Sequence, residues 1–423
     1  MVRNQATFDL VIVGGGPAGI AAACAASENS SSICVIDDNP GLGGQIWRGK
    51  ETHSPLHESG DWFDRFRRSK NIHVMRGTRV FDAPSERALR AETSDGVTKV
   101  GYEKLIIAAG ARERFVPFPG WTLPNVIGAG GLQALVKSGL PVDGRRIVVA
   151  GSGPLLLAVA AFLIDQGAIV PLIAEQAPWL KLARLGLSLA TNMSKSAQAM
   201  SLRGQTRAAR FVANCFPIEA RGNQRVESLV LKRGGSEFVV DCDYVACGFH
   251  LVPNVELAML LQCDLIDNTV KVNEFQETSR RGIFCAGEAT GIGGVELALV
   301  EGEIAGYAAT ENLTRARNRF TERARALRFA TALNRAFELR TELKSLARSD
   351  TLVCRCEDVP FGVMQGFNDW RDAKLQTRSG MGPCQGRICG PAAEFLFGWR
   401  LESVRPPIFP VTVESLSSIN DEV

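Results

Sequence analysis

Histidine and tyrosine are scarce in this 423-residue sequence, at four and three positions, and the formal net charge at neutral pH is only +3. His53, His57, His73 and His250 are scattered, and none is paired in sequence with a nucleophile or a metal-ligand set, so no histidine-centred hydrolytic or metal site is legible. The small charge and sparse aromatics, 7% of residues, give no support to a polyanion-binding surface, and nucleic acid is not an expected partner. From Met1 through Arg3 and Asp9 the chain enters a strand pattern without the apolar run of a secretion signal. The most apolar stretch, 147–174, is cut into strand, helix and strand by Gly151, Gly153, Pro154 and Asp165-Gln166-Gly167, so no membrane span is expected. Closely spaced cysteines are missing from the first 120 residues. Cys24 falls in a helix pattern and Cys34 in a strand pattern, both as small buried apolar residues, which argues against a flavin-linked disulfide reductase.

What is present is a large apolar fraction, 45% over a length that predicts two or three domains. A buried strand over 8–13 leads into Gly14-Gly15-Gly16-Pro17-Ala18-Gly19, an Ala-rich helix and a second strand ending at Asp37. In this βαβ pattern Gly14 makes the turn, Gly16 admits a pyrophosphate against the backbone and Gly19 allows helix and strand to approach. Phosphates then meet the free N–H groups at the helix start. Asp37 is placed for ribose hydroxyls, with Asp38 as the substitute. A second unit begins at Arg146 and runs through Gly151-Ser152-Gly153-Pro154-Leu155-Leu156 to Glu175. This copy is degraded. Leu156 replaces the third glycine and Pro171 interrupts the second strand, so pyridine nucleotide binding is not expected; any nucleotide there suits Glu175 better as NAD, or another adenine nucleotide, than as NADP.

Eleven cysteines in a chain without an export signal point to reduced thiols or metal ligands, and to the cytoplasm. Four stand as two pairs, Cys354-Arg355-Cys356 and Cys384-Gln385-Gly386-Arg387-Ile388-Cys389. Four thiolates suit zinc or an iron-sulfur cluster; the single residue between the first two fits a zinc knuckle poorly and favours a 2Fe-2S cluster. Each pair precedes an expected helix start, with Asp358 as a cap before Pro360, and Pro391 beyond Cys389. Cys215, Cys242, Cys247, Cys263 and Cys285 are expected in packing roles. The segment after Gly306 carries Arg315, Arg317, Arg319, Arg323, Arg325, Arg328, Arg335 and Arg340 among Leu327, Phe329, Leu333 and Phe337, and reads as a solvated helical connector.

The Gly43-Gly44-Gln45 loop, the strand end Leu105-Ile106-Ile107-Ala108-Ala109-Gly110 and the segment Gly282-Ile283-Phe284-Cys285-Ala286-Gly287-Glu288 resemble those of glutathione-reductase-like flavoproteins. That resemblance implies FAD, held by Gly14, Gly16, Pro17, Ala18, Gly19, Asp37 or Asp38, Gly44, Gln45, Ala109, Gly110, Gly287 and Glu288, the last standing where the family usually has an aspartate on the flavin's ribityl chain. The C-terminal cysteine pattern resembles the bacterioferritin-associated-ferredoxin type of 2Fe-2S module, with Cys354, Cys356, Cys384 and Cys389 as ligands. With Gly380-Met381-Gly382-Pro383-Cys384-Gln385-Gly386-Arg387, Pro117-Phe118-Pro119-Gly120-Trp121-Thr122-Leu123-Pro124 and the second glycine loop, the whole chain resembles the alpha subunits of heteromeric flavin dehydrogenases acting on opines, D-hydroxyproline, L-proline or, in cyanide synthase, glycine.

This resemblance implies an α/β chain with two Rossmann-like dinucleotide-binding domains and a small α-helical iron-sulfur domain. The expected boundaries are 1–115 with 245–310 for FAD, 116–244 for the second nucleotide domain, 311–349 for the connector and 350–423 for the 2Fe-2S domain and tail. It also implies an FAD-containing beta subunit that oxidises the substrate, a small third ferredoxin-like subunit, an FMN at a subunit interface and an adenine nucleotide such as ATP or NAD in this chain. A membrane quinone or respiratory-chain acceptor fits a cytoplasmic complex peripheral to the inner membrane. The readings from other classes are a stand-alone NADH-dependent flavin reductase and a non-catalytic redox sensor or scaffold. No substrate base is nameable in this chain.

Overall fold

The computed structural model describes residues 5–30, 32–49, 58–189, 193–400 and 403–417; His53 and His57 lie outside them. The chain divides into two compact units, one of Met1–Arg112, Pro253–Thr331 and Glu402–Val423, the other of Glu113–Val252 and Ala332–Leu401.

The first unit is built on a seven-stranded sheet. Strand Gln5–Val13 pairs in parallel with Ile33–Ile36 on one side and Gly96–Ile107 on the other, and Ile33–Ile36 pairs with Ile72–Met75. The long strand Gly96–Ile107 is shared. Its first half pairs antiparallel with Ala88–Thr93, and Leu105–Ile107 pairs in parallel with Ile283–Cys285. The central strands are continuous apolar runs because helices cover them, as parallel sheets require. Helix Pro17–Ala26 has nine of its ten residues buried, which explains its lack of a polar face. Helix Val295–Ala309 lies against it through small residues: a Cβ on Gly302 would fall 2.2 Å from the Ala18 carbonyl oxygen, and one on Gly306 2.3 Å from that of Ala22.

Two acids on that same helix, Glu301 and Glu303, are buried yet paired. Arg323 reaches Glu301 at 3.4 Å, and Arg319 and Arg65 both reach Glu303. The arginine-rich segment, helices Leu313–Asn318 and Phe320–Ala336, is therefore more than a solvated connector in its first half, because its cations neutralise carboxylates that the core would otherwise reject. Residues of the C-terminal tail join this unit as well, through Ile408 N–H to the Phe81 carbonyl at 2.8 Å and Thr412 N–H to Glu92 at 2.8 Å.

The second unit repeats the theme with a five-stranded parallel sheet ordered Arg210–Ala213, Leu172–Glu175, Ile147–Ser152, Tyr244–Phe249, Val126–Gly128. Pro171 stands just before Leu172–Glu175 instead of within it, which is where a ladder tolerates it. A three-stranded antiparallel meander spans Cys215–Arg221, Ser228–Arg233 and Ser236–Asp241. The cysteine-rich end of this unit is the hairpin Leu352–Cys354/Val359–Pro360 and the helices Phe361–Met364, Trp370–Thr377 and Cys389–Phe397. Two local details differ from expectation. Asp358 adopts φ +50° and leaves the N-cap position to Pro360, and the last helix starts at Cys389 itself, placing Pro391 inside its first turn. Among the described residues no helix is long and apolar enough to cross a membrane.

Candidate cofactor sites

The residues expected to hold a dinucleotide gather at the carboxyl ends of the parallel strands in the first unit, where open α/β sheets bind ligands. Gly14 adopts φ +111°, and a Cβ there would meet the Ala108 carbonyl oxygen at 2.2 Å; a Cβ on Gly19 would meet the Gly14 carbonyl at 1.8 Å. Gly16 is different, for its Cβ position meets nothing nearer than the Gly44 Cα at 3.9 Å. The open face at Gly16 and the N-terminus of helix Pro17–Ala26 beside it suit a pyrophosphate, whereas Gly14 and Gly19 serve packing. The Gly44–Gln45 loop is tied to this turn by the Gly43 N–H, which donates to the Gly15 carbonyl at 2.7 Å. Ala109 and Gly110 are held at the end of their strand by Asn254, whose side chain donates to the Ala109 carbonyl at 2.9 Å and whose N–H donates to that of Gly110 at 3.0 Å. Asn254 carried no sequence signal because it lies 144 residues from Gly110 and in no motif.

Asp37 is buried, and its carboxylate accepts from the Gly15 N–H at 2.6 Å and from the Asn39 N–H at 2.7 Å. With Asn39 Nδ2 also donating to Oδ1 at 2.9 Å, it braces the glycine loop and keeps one lone pair, on Oδ2, for a ribose. Asp38 stays exposed and faces Arg79 at 3.7 Å. Gly287 packs on the first helix, its Cβ position 2.8 Å from that of Ala18, and its N–H donates to Glu301 at 3.1 Å. Glu288 turns its carboxylate to the start of helix Val295–Ala309, accepting from Gly294 at 2.8 Å and Gly293 at 3.3 Å. Burial pushes this carboxyl up to about 7, so near neutrality a fraction carries a proton it can donate.

The second glycine loop has the same acid device, and at Gly153, the counterpart of Gly16, nothing lies within 4 Å of a Cβ position. Glu175, 2% exposed, accepts from Gly153 and Ala177, both at 2.8 Å, and burial pushes it up to about 7. Over this loop runs the chain's own segment 337–340. Ser152 Oγ donates to the Phe337 carbonyl at 2.9 Å, Gln176 Nε2 donates to the Glu338 carbonyl at 3.2 Å, and the Arg340 N–H donates to Gln176 Oε1 at 3.3 Å. The polar side chains of Ser152 and Gln176 beside the loop are thus engaged by a strap of protein, in which Phe337 is itself buried. Sequence could not show this, since 161 residues separate Gln176 from Phe337.

A pH dependence follows from Glu175. Its folded value lies above the 4.5 of an ordinary glutamate, so the folded chain holds a proton that the unfolded chain releases. The associated stability is full below about pH 4.5 and is lost as pH rises through about 7, in total about 3 kcal/mol. The melting temperature should therefore decline less steeply between pH 5 and 8 in Glu175→Gln than in the native chain; parallel profiles would rule the linkage out.

The four C-terminal cysteines, from two segments 28 residues apart, line one cavity of about 120 Å³ together with Phe115, Trp121, Arg355 and Ile388. Cys389 hydrogen bonds to both Cys354 and Cys384, drawing those two thiols down to about 6 and about 5 while its own value rises. Backbone N–H groups of Gly380, Glu357 and Cys356 also favour a thiolate at Cys354, and those of Ile388 and Gly386 one at Cys384. Easily deprotonated sulfurs around one cavity, supported by backbone N–H groups, fit the chemistry of a metal-sulfur cluster, although among the described residues no group of three or more His, Cys, Asp or Glu already stands in metal-binding geometry. Gly382 keeps the space open, for a Cβ there would sit 2.3 Å from the Cys356 Cβ. Were the four cysteines to hold a cluster, Gly382→Ala should lower iron uptake on reconstitution at unchanged flavin content. The remaining cysteines are buried in the cores, where desolvation pushes Cys24 and Cys34 up to about 12. His250, φ +71°, is a packing residue bonded to Asn334 at 3.2 Å, and His73 stacks on Phe8.

Two parallel sheets, each with a glycine loop after its central strand, are the frame of an oxidoreductase of the flavin type. The chain belongs to the pyridine nucleotide-disulphide oxidoreductase family, whose sequence model matches residues 8–317. It is 31% identical to the HcnB component of hydrogen cyanide synthase from Pseudomonas protegens, over 90% of this chain and 89% of that one. It is 29% identical to the A component of opine oxidase from Agrobacterium tumefaciens, over 90% and 84%. Among solved structures, L-proline dehydrogenase from P. horikoshii superposes with a TM-score of 0.69 at 19% identity, covering 98% of this chain and 80% of that one. The resemblance to this group of proteins, read from the motifs, agrees with these relatives.

Proposed function

We propose that this chain is the electron-relaying alpha subunit of a heteromeric dehydrogenase whose partner, an FAD-containing beta subunit, oxidises a C–N bond of an opine, D-hydroxyproline or proline-like amino acid. The observation that carries the reading is the convergence of Cys354, Cys356, Cys384 and Cys389 on one cavity in a chain of this family. The assigned parts are residues 1–115 with 245–310 for flavin, 116–244 for the second nucleotide fold, 311–349 for the connector and 350–423 for the 2Fe-2S module and tail. In this scheme FAD accepts electron pairs and the cluster passes single electrons, the chemistry these cofactors supply wherever they are held.

The chain's own residues bind and tune. The Gly14–Gly19 turn and its helix N-terminus would hold phosphates, Gly44 lies against Gly16, Gln45, Ala109 and Gly110 are the further residues assigned to the flavin, and Glu288 carries a partly protonated carboxyl at the start of helix Val295–Ala309. Cys354, Cys356, Cys384 and Cys389 hold the cluster as thiolates. For the adenine nucleotide implied by the resemblance, the second half offers a pocket of about 460 Å³ lined by Trp179, Arg210, Arg233 and Arg340, whose cations suit phosphates.

The strap over the second glycine loop weighs against a stand-alone NADH-dependent reductase. Anaerobic addition of NADH to the lone chain should leave the flavin spectrum unchanged over minutes, and rapid bleaching would restore that rival. The deciding measurement is an anaerobic spectrum of the chain, alone and with its co-expressed partner, together with flavin, iron and acid-labile sulfide content. About two irons and two sulfides per chain, with bleaching by substrate only when the partner is present, support the relay. Zinc, or bleaching by substrate with the lone chain, overturns it.

A further inference from the structure

Trp121 belongs to a segment, 117–124, that the cofactor assignments leave without a role, yet it touches the cysteine cavity in two ways. Its ring, 3% exposed and tilted against Phe115 at 5.6 Å between centroids, lines the cavity with the four cysteines. Its indole Nε1–H donates to the Leu352 carbonyl at 2.7 Å. Leu352 opens the short strand that ends at Cys354, so the indole holds the strand that delivers the first cysteine of the set. An indole N–H can only donate, and the carbonyl at 2.7 Å ties the N–H edge of the ring to the strand while the ring lines the cavity.

From this placement we infer that Trp121, backed by Phe115, is the positioning residue of the cysteine site: it fixes the strand carrying Cys354 and forms the dry wall that sets how strongly a bound cluster resists reduction. The inference rests on the cluster reading given above. Reduction adds negative charge to the cluster, and an apolar wall that excludes water makes that charge costlier, which lowers the potential. Removing the wall hydrates the sulfurs and raises it. Removing only the N–H frees the strand but leaves the wall standing.

The test uses the full chain, reconstituted anaerobically with iron and sulfide, in native, Trp121→Phe and Trp121→Ala forms. Readouts are iron and sulfide per chain, the electron paramagnetic resonance spectrum of the reduced protein, the midpoint potential, and the rate of iron loss to a chelator. Trp121→Ala should release iron roughly 10–100-fold faster, as loss of supporting groups does at other metal sites, and show a more positive potential in whatever cluster remains. Trp121→Phe should recover the native potential while releasing iron faster than the native chain. Native protein carrying a cluster, with both variants matching it in potential, spectrum and release rate, overturns the inference alone; if Trp121→Ala does not fold, Trp121→Phe matching the native release rate does the same. Native protein that takes up no iron overturns the cluster reading from which the inference starts.

Discussion

Under the proposed relay, replacing Cys384 with alanine should reduce electron delivery from the partner's substrate to an external acceptor by at least about 100-fold, while the first unit keeps its fold and its flavin. Cys384 is the thiol most strongly drawn toward the thiolate, through its bond to Cys389 and the N–H groups of Ile388 and Gly386. Deleting it leaves three sulfurs, with Cys389 bonded to Cys354 alone, too few to close a four-thiolate site. The loss should be confined to the second unit, because the glycine loop, Asp37 and the Ala109–Gly110 strand end all draw their hydrogen bonds from residues of the first. The measurement is turnover of the co-expressed complex with a dye acceptor, beside iron, sulfide and flavin analysis of the same preparation. Full turnover with the iron gone would remove the cluster from the electron path. Loss of flavin along with the iron would mean that the two sites do not stand independently.

The first glycine loop and the cysteine pairs are legible in the sequence because each is a local pattern whose spacing is itself the chemistry: a turn, an opening and a close approach within Gly14–Gly19, and two thiols within six residues at Cys384–Cys389. Asp37 is legible at its strand end for the same reason, although the backbone bonds that occupy it are not. Illegible parts depend on residues far apart in the chain. Glu301 and Glu303 look like surface acids in a helical stretch, and the arrival of Arg319, Arg323 and Arg65, with the Gly287 N–H and the Thr290 hydroxyl on Glu301, makes their burial tolerable. The strap at 337–340 and the bond from Trp121 to Leu352 connect segments 162 to 231 residues apart, and no periodicity encodes such a pairing. One missed feature did leave a trace. Gly302 and Gly306 stand four apart on one helix face, opposite Ala18 and Ala22 at the same spacing, a stripe of small residues that could have been read as a backbone-close helix pair.

That helix pair gives the second large expected effect, and its sign runs against propensity. A glycine-to-alanine change inside a helix ordinarily stabilises, by roughly 0.5–1 kcal/mol, since glycine loses the most backbone freedom on folding. At Gly302 the added Cβ would lie 2.2 Å from the Ala18 carbonyl oxygen and 3.0 Å from its carbon, both backbone atoms that no rotamer change can move. The two helices must separate, which costs about 1–3 kcal/mol of overpacking and more if the cores on either side open. Ala18 sits in the first turn of the helix whose N-terminus faces the open side of Gly16, so the displacement falls on the proposed phosphate-binding N–H groups. Gly302→Ala should therefore melt several degrees lower and retain less than half of its flavin after gel filtration. Gly186, at an exposed position of helix Trp179–Leu189 with nothing within 4 Å of its Cβ position, is the control, where the same substitution should raise the melting temperature slightly. Two variants that shift in the same direction would show that the clash at Ala18 does not govern the fold of the first unit.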